Sequence, residues 1–121
     1  MTRLGIKFLP CDPYGEPEFK EVSCILTPEE VLVSRNYEDA IQIAARHIFG
    51  AEAEIHSDAG YWYSGVMGGH VWRRINGEWQ SDNDFPSLVA EFHYKGRNSL
   101  DIAEGKEILN QAKKDMERWH V

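Results

Sequence analysis

Long apolar runs are absent from this sequence, and none approaches the ~20 residues that a membrane-spanning helix needs. Residues 1–10, MTRLGIKFLP, lack the apolar core and the small-residue cleavage site of a secretory signal. The two cysteines, Cys11 and Cys24, have neither CxxC nor zinc-ligand spacing, which indicates reduced thiols. These absences predict a cytoplasmic protein with no membrane contact, no structural metal and no cofactor.

Positive charge is also scarce. The chain has 13 Lys and Arg against 20 Asp and Glu, for a formal net charge of −7. Direct nucleic-acid binding is therefore disfavoured, because phosphate contacts need clustered basic side chains. Acidic residues dominate residues 12–54, where Glu16, Glu18 and Glu21 lie close together in the sequence. They either form a charged surface that keeps the protein soluble or present an acidic face to a basic partner.

Aromatic residues concentrate in residues 61–81, YWYSGVMGGHVWRRINGEWQS. Gly68-Gly69 and Asn76-Gly77 both suit tight hairpin loops, because glycine and asparagine tolerate the positive φ angles that such loops need. We therefore predict a three-stranded antiparallel meander with aromatic side chains on its faces.

The second of these loops fixes a register. With Asn76-Gly77 as a two-residue loop, Arg74 lies opposite Trp79, and Trp72, Arg74 and Trp79 share one face of the meander. The two indole rings can then enclose the Arg74 guanidinium. If this face is exposed, it has the composition of a binding hot spot. The alternative is that both tryptophans lie partly in the core and Arg74 extends past them to solvent.

The rest of the chain has the periodicities of a mixed fold. Thr27 begins a helix of one or two turns with a capping box, and two longer amphipathic helices are expected. The predicted strands cover residues 4–9, 19–26 and 88–95, and the longer helices cover residues 37–49 and 100–119. We predict a single α+β domain spanning residues 1–121, with one antiparallel sheet of about five to seven strands, including the aromatic meander, packed against two main helices on the same face.

Recognisable catalytic motifs are missing. The five histidines form no HxH, HxxxH or HExxH pattern, and the glycine-rich residues 64–69 lack the spacing of a phosphate-binding loop. The nearest candidate constellation is His56, Asp58 and His70, provided that the chain brings His70 back beside the other two.

Three functions remain open at this point. The favoured one is a non-enzymatic, acidic binding protein that covers a basic surface on another protein, such as a nucleic-acid-binding enzyme. Inhibitors of the phage counter-defence or toxin-immunity type act in this way. The second is a small hydrolase or metal-dependent enzyme centred on His56, Asp58 and His70. The third is an oligomeric module, such as a homodimer, assembled through a sheet edge or the tryptophan face.

Overall fold

The computed structural model describes residues 3–10, 20–56, 65–85 and 87–119, and these form an α+β fold of seven strands and three helices. In chain order, the elements are β1 (Leu4–Pro10), β2 (Val22–Leu26), α1 (Pro28–Val33), α2 (Tyr37–Phe49), β3 (Ala53–His56), β4 (Gly68–Ile75), β5 (Glu78–Ser81), β6 (Leu88–Tyr94), β7 (Arg97–Ser99) and α3 (Ile102–Trp119). Every strand pairing is antiparallel. The predicted fold class is confirmed.

The strands form one sheet in the order β2-β1-β6-β4-β3, with β5 paired to β4 and β7 paired to β6. Strand β6 changes neighbours along its length. Leu88 and Val89 pair with the start of β4, whereas Phe92 to Tyr94 pair with β7. As a result, β3, β4 and β5 form a separate antiparallel unit that joins the rest of the sheet through a short contact with β6.

The core lies between the sheet and the helices. In β1, Leu4, Ile6 and Phe8 are all fully buried, as the alternation of side chains along a strand predicts. The single core cluster of the described residues also contains Ala44 of α2 and Leu109 of α3. Both main helices therefore pack on the same face of the sheet, as expected, and no helix of the described residues covers the opposite face.

Local capping sets the helix ends. Thr27 and Glu30 form the predicted capping box at α1. The side chain of Asn36 accepts a hydrogen bond from the Asp39 amide at the start of α2, and Gly50 ends that helix with a φ of 116°. These signals in the sequence give α2 the predicted bounds.

One predicted turn is wrong. Gly68 and Gly69 do not form a hairpin loop but begin β4, with φ angles of 145° and 156°. Gly68 has to be a glycine because its backbone passes close to Leu88 and Val89 of β6. Strand β4 is instead flanked by β3, and the expected first strand of the meander falls partly on residues 57–64, outside the described residues.

The second predicted turn is confirmed. Asn76 and Gly77 have φ angles of 53° and 80° and connect β4 to β5 as a two-residue loop. A similar loop at Lys95 and Gly96, with φ angles of 51° and 79°, was not anticipated. It ends β6 one residue before the predicted position and starts the short strand β7.

Candidate binding surface

The tryptophan-bearing face of β4 and β5 points away from the helices. Val71 is fully buried against the core, so its neighbour Trp72 lies on the opposite face of the sheet. The register pairs Arg74 with Trp79, as predicted, which places Trp79 on the same outer face. Trp72 is half-buried, Arg74 is exposed and Trp79 is 38% exposed. The predicted shared face of these three residues is therefore an outer surface and not part of the core.

The group that lies against both indoles is the His56 imidazole and not the Arg74 guanidinium. The imidazole of His56 stacks on Trp72 at a centroid distance of 5.5 Å and meets Trp79 edge-on at 5.1 Å. We call His56, Trp72 and Trp79 the aromatic cluster. Within the described ranges, no aromatic ring lies under the Arg74 guanidinium. The predicted contact of Arg74 with the indoles is therefore wrong, because β3 brings His56 to this position.

Glu54 fixes the orientation of His56. The two side chains point to the same face because they are two residues apart on β3, and His56 Nε2 lies 3.0 Å from Glu54 Oε1. Arg46 of α2 donates from Nη2 to Glu54 Oε2 over 2.8 Å. Partial burial opposes ionisation of Glu54, but the hydrogen bonds from His56 and Arg46 outweigh it and hold its pKa below the usual value. Glu54 is thus an ionised acceptor that holds the imidazole at Nε2.

Two side chains tie this part of the sheet to α2. Gln42 accepts from the backbone amide of Ile55 and donates to its carbonyl, both over 2.7 Å, so it occupies the open edge of β3. Arg73 donates to the carbonyl of Phe49 at the end of α2 and forms an ion pair with Asp82. The strands that carry the aromatic cluster are therefore attached to α2 and to the core.

Of the three residues of the alternative site, the structure describes only the two histidines. His56 and His70 are directly opposite each other on β3 and β4. Asp58 lies outside the described residues. The Nε2 atom of His70 is 2.8 Å from Ser87 Oγ. In the described part of the chain, no three His, Cys, Asp or Glu side chains are placed to hold a metal ion.

The predicted acidic residues do not adjoin the aromatic cluster in any described contact. Glu16 and Glu18 lie outside the described residues. Glu21 is exposed before β2, and its carboxylate lies 3.7 Å from Lys7 Nζ. Since β2 and β3 are at opposite ends of the strand order, Glu21 and the aromatic cluster belong to opposite edges of the sheet.

Cys24 is poorly suited to nucleophilic chemistry. It is a free thiol on β2, and its side chain is half-buried against the core. Burial raises the pKa of the Cys24 thiol, and the negative charge of Glu30 adds to the effect. The thiol therefore stays protonated at neutral pH.

The chain matches no protein-family model, and no curated protein or solved structure is significantly similar to it. None of the helices in the described ranges has the length and hydrophobicity needed to cross a membrane.

Proposed function

We propose that this chain is a non-enzymatic binding protein that covers a surface on another protein, with the aromatic cluster at the centre of the contact. The observation that carries this proposal is the contact of His56 with two tryptophans, stacked on Trp72 and edge-on to Trp79, on the sheet face away from the helices. Exposed Arg74 lies beside them. Tryptophan and arginine are the residues most enriched at binding hot spots. Rings already held in place lose little conformational freedom on association.

The charge of the chain favours a basic partner. Several described basic residues are already engaged by carboxylates of the same chain, as in the Arg35–Asp39, Arg46–Glu54 and Arg73–Asp82 pairs. The charge that the chain presents to a partner therefore comes mainly from its excess of acidic residues, which gives a formal net charge of −7. An inhibitor of a nucleic-acid-binding enzyme, of the phage counter-defence or toxin-immunity type, fits these properties, and the cytoplasmic location stays a prediction.

Partner capture from the native host, followed by titration of the purified partner, tests the proposal. We expect Trp79→Ala to weaken binding by about 30-fold, because truncation of an exposed hot-spot tryptophan costs ~2 kcal/mol or more. Ile25→Ala is the matched control, since Ile25 is exposed on β2 at the other end of the strand order. Equal affinity for wild type and Trp79→Ala would remove the aromatic cluster from the interface.

The three predicted acidic residues, of which Glu21 lies beside β2 at the other end of the strand order, need a separate variant. Neutralising Glu16, Glu18 and Glu21 together is expected to weaken association and flatten its salt dependence, with little change in thermal midpoint. Unaltered affinity would leave the aromatic cluster as the main contact.

The contact between Ser87 and His70 is the one observation that favours the hydrolase alternative, because a base within hydrogen-bond reach can activate a hydroxyl. We expect His70→Ala to leave partner binding nearly unchanged. If His70→Ala and Ser87→Ala instead abolish ester hydrolysis while both remain folded, and Trp79→Ala is fully functional, the binding proposal is wrong.

The oligomer alternative is tested by mass measurement across protein concentrations. Gln42 occupies the backbone groups of Ile55 at the β3 edge, which disfavours pairing of two copies there. A homodimer that dissociates in Trp79→Ala would make a second copy of this chain the partner.

A further inference from the structure

A cleft of about 320 Å³ lies beside the aromatic cluster, between α2 and β3. Glu38 and Gln42 of α2 line one side, and Glu54 and His56 of β3 line the other. The apolar side chains of Ile41 and Ile55 also line it, and both are almost fully buried. The volume is at the lower end of the range for ligand pockets, which suits one long side chain better than a cofactor.

We propose that this cleft receives an arginine side chain of the partner. The inference rests on the proposed function and names the chemical group that the binding surface recognises. Arginine combines an apolar stem with a planar cation, and the cleft offers apolar lining together with carboxylates and an aromatic ring.

The charges around the cleft favour a cation. Glu38 is exposed in the first turn of α2, where the Tyr37 hydroxyl interacts with its carboxylate. Among the described residues, no lysine, arginine or histidine forms an ion pair with Glu38. The charge of Glu54 is balanced by Arg46, while His56 donates to it from Nε2. The carboxylate of Glu38 is therefore the uncompensated charge, and it provides the acceptor for a guanidinium group.

The aromatic cluster adds a second type of contact. The imidazole of His56 lines the cleft and stacks on Trp72, so a guanidinium that enters beside it adjoins a stack of rings. Arginine stacks on aromatic faces and binds carboxylates with a planar fork, whereas lysine is a strongly hydrated point charge. The cleft should therefore prefer arginine to lysine.

The test uses N-acetyl-arginine amide as a probe, followed by amide chemical shifts in NMR spectra of the whole chain. We expect saturable binding in about the millimolar range, as the small size of the probe implies. The shifts should centre on Glu38, Gln42 and His56. N-acetyl-lysine amide should bind more weakly, and N-acetyl-citrulline amide, which has a similar shape without the charge, should not bind measurably.

Two variants with the same change in charge test whether Glu38 itself contributes to binding of the arginine probe. Glu38→Gln should weaken binding of the arginine probe by ~5-fold, the equivalent of an exposed ion pair of about 1 kcal/mol. Glu29→Gln makes the same change on exposed α1, where Glu29 does not line the cleft, and should leave the affinity unchanged. Equal binding of the citrulline probe, or equal effects of the two variants, would overturn the inference.

The two proposals fail in different ways. If Trp79→Ala weakens partner binding but the arginine probe does not bind, the cleft inference is wrong and the proposed binding surface stands. If the arginine probe binds in the cleft but partner affinity does not depend on Trp79, the cleft recognises a guanidinium group as inferred, and the aromatic cluster is not the centre of the partner contact.

Discussion

The backbone of Gly68 lies so close to Leu88 that a Cβ atom at position 68 would be 2.1 Å from the Leu88 carbonyl oxygen. This contact is where β4 meets β6, and it connects the unit of β3, β4 and β5 to the rest of the sheet. Because the obstructing atom is backbone and not the end of a flexible side chain, local side-chain movement cannot relieve the contact. The position of the aromatic cluster relative to the core therefore depends on this glycine.

Gly68→Ala should be severely destabilising. Its φ of 145° is unfavourable for any other residue, and the added methyl group would displace β6. We expect a loss of more than about 3 kcal/mol in the free energy of unfolding, measured in urea. Gly77→Ala is the control, because Gly77 has a φ of 80° in open space and should cost only about 1 kcal/mol. Similar losses in the two variants would show that β4 and β6 do not approach as described.

Gly105 makes a close contact of a different kind. A Cβ atom on this residue of α3 would lie 2.6 Å from the Sδ atom of fully buried Met67. The Sδ and Cε atoms of Met67 are the end of a flexible side chain, but that side chain is fully buried, so its movement displaces neighbours in the core. Gly105→Ala should therefore destabilise the protein by about 1–3 kcal/mol, despite the ~1 kcal/mol gain in helix propensity. In a Met67→Ala background, the same substitution should become stabilising, since the obstacle is gone. A double-mutant cycle measures this change of sign, and additive effects would contradict it.

Leu109 tests the packing of α3 on the sheet. It is 2% exposed in the core, so Leu109→Asp places an unpaired charge where it cannot be hydrated. We expect the chain to be unfolded, or to lose more than about 4 kcal/mol of stability. The neighbouring exposed residue gives a charge-matched control, and Asn110→Asp should have a near-native thermal midpoint. A folded Leu109→Asp variant with that same midpoint would show that α3 does not pack in this way.

Much of the fold was predictable because its signals are local. Asn36 and Gly50 bound α2 at the expected positions, and Asn76-Gly77 sets the register between β4 and β5. Local signals were ambiguous at Gly68, because a glycine pair suits a tight turn and a close backbone approach equally well. Only the pairing of β4 with β6, which is distant in sequence, distinguishes the two.

The candidate surface was predictable only in part. The shared face of Trp72 and Trp79 follows from the hairpin alone. The contribution of His56 depends on the pairing of β3 with β4. The 11 residues between these two strands are too many for a tight turn that would set the register. One signal was present in the sequence: Glu54 and His56 alternate with apolar Ala53 and Ile55, which places the two polar side chains together on the outer face.

Asp115 links α3 to the end of β6 and makes the stability of the folded protein depend on pH. Lys95 and Gln111 donate to its carboxylate over 2.7 and 2.9 Å, and the Tyr94 hydroxyl donates as well. The hydrogen bond from Lys95, followed by that from Tyr94, lowers the pKa of Asp115 to about 2. In the unfolded chain, an aspartate has a pKa of ~3.9.

The folded protein therefore binds this proton less readily than the unfolded chain, and the resulting stabilisation is fully present above pH ~4. It should be lost as the pH falls from ~4 through about 2, the pKa of folded Asp115. Thermal midpoints of wild type and Asp115→Asn across this range measure the effect. We expect Asp115→Asn to be less stable at pH 7 and the gap to narrow as the pH falls. A constant gap would mean that the Asp115 charge contributes nothing to the contact between α3 and β6.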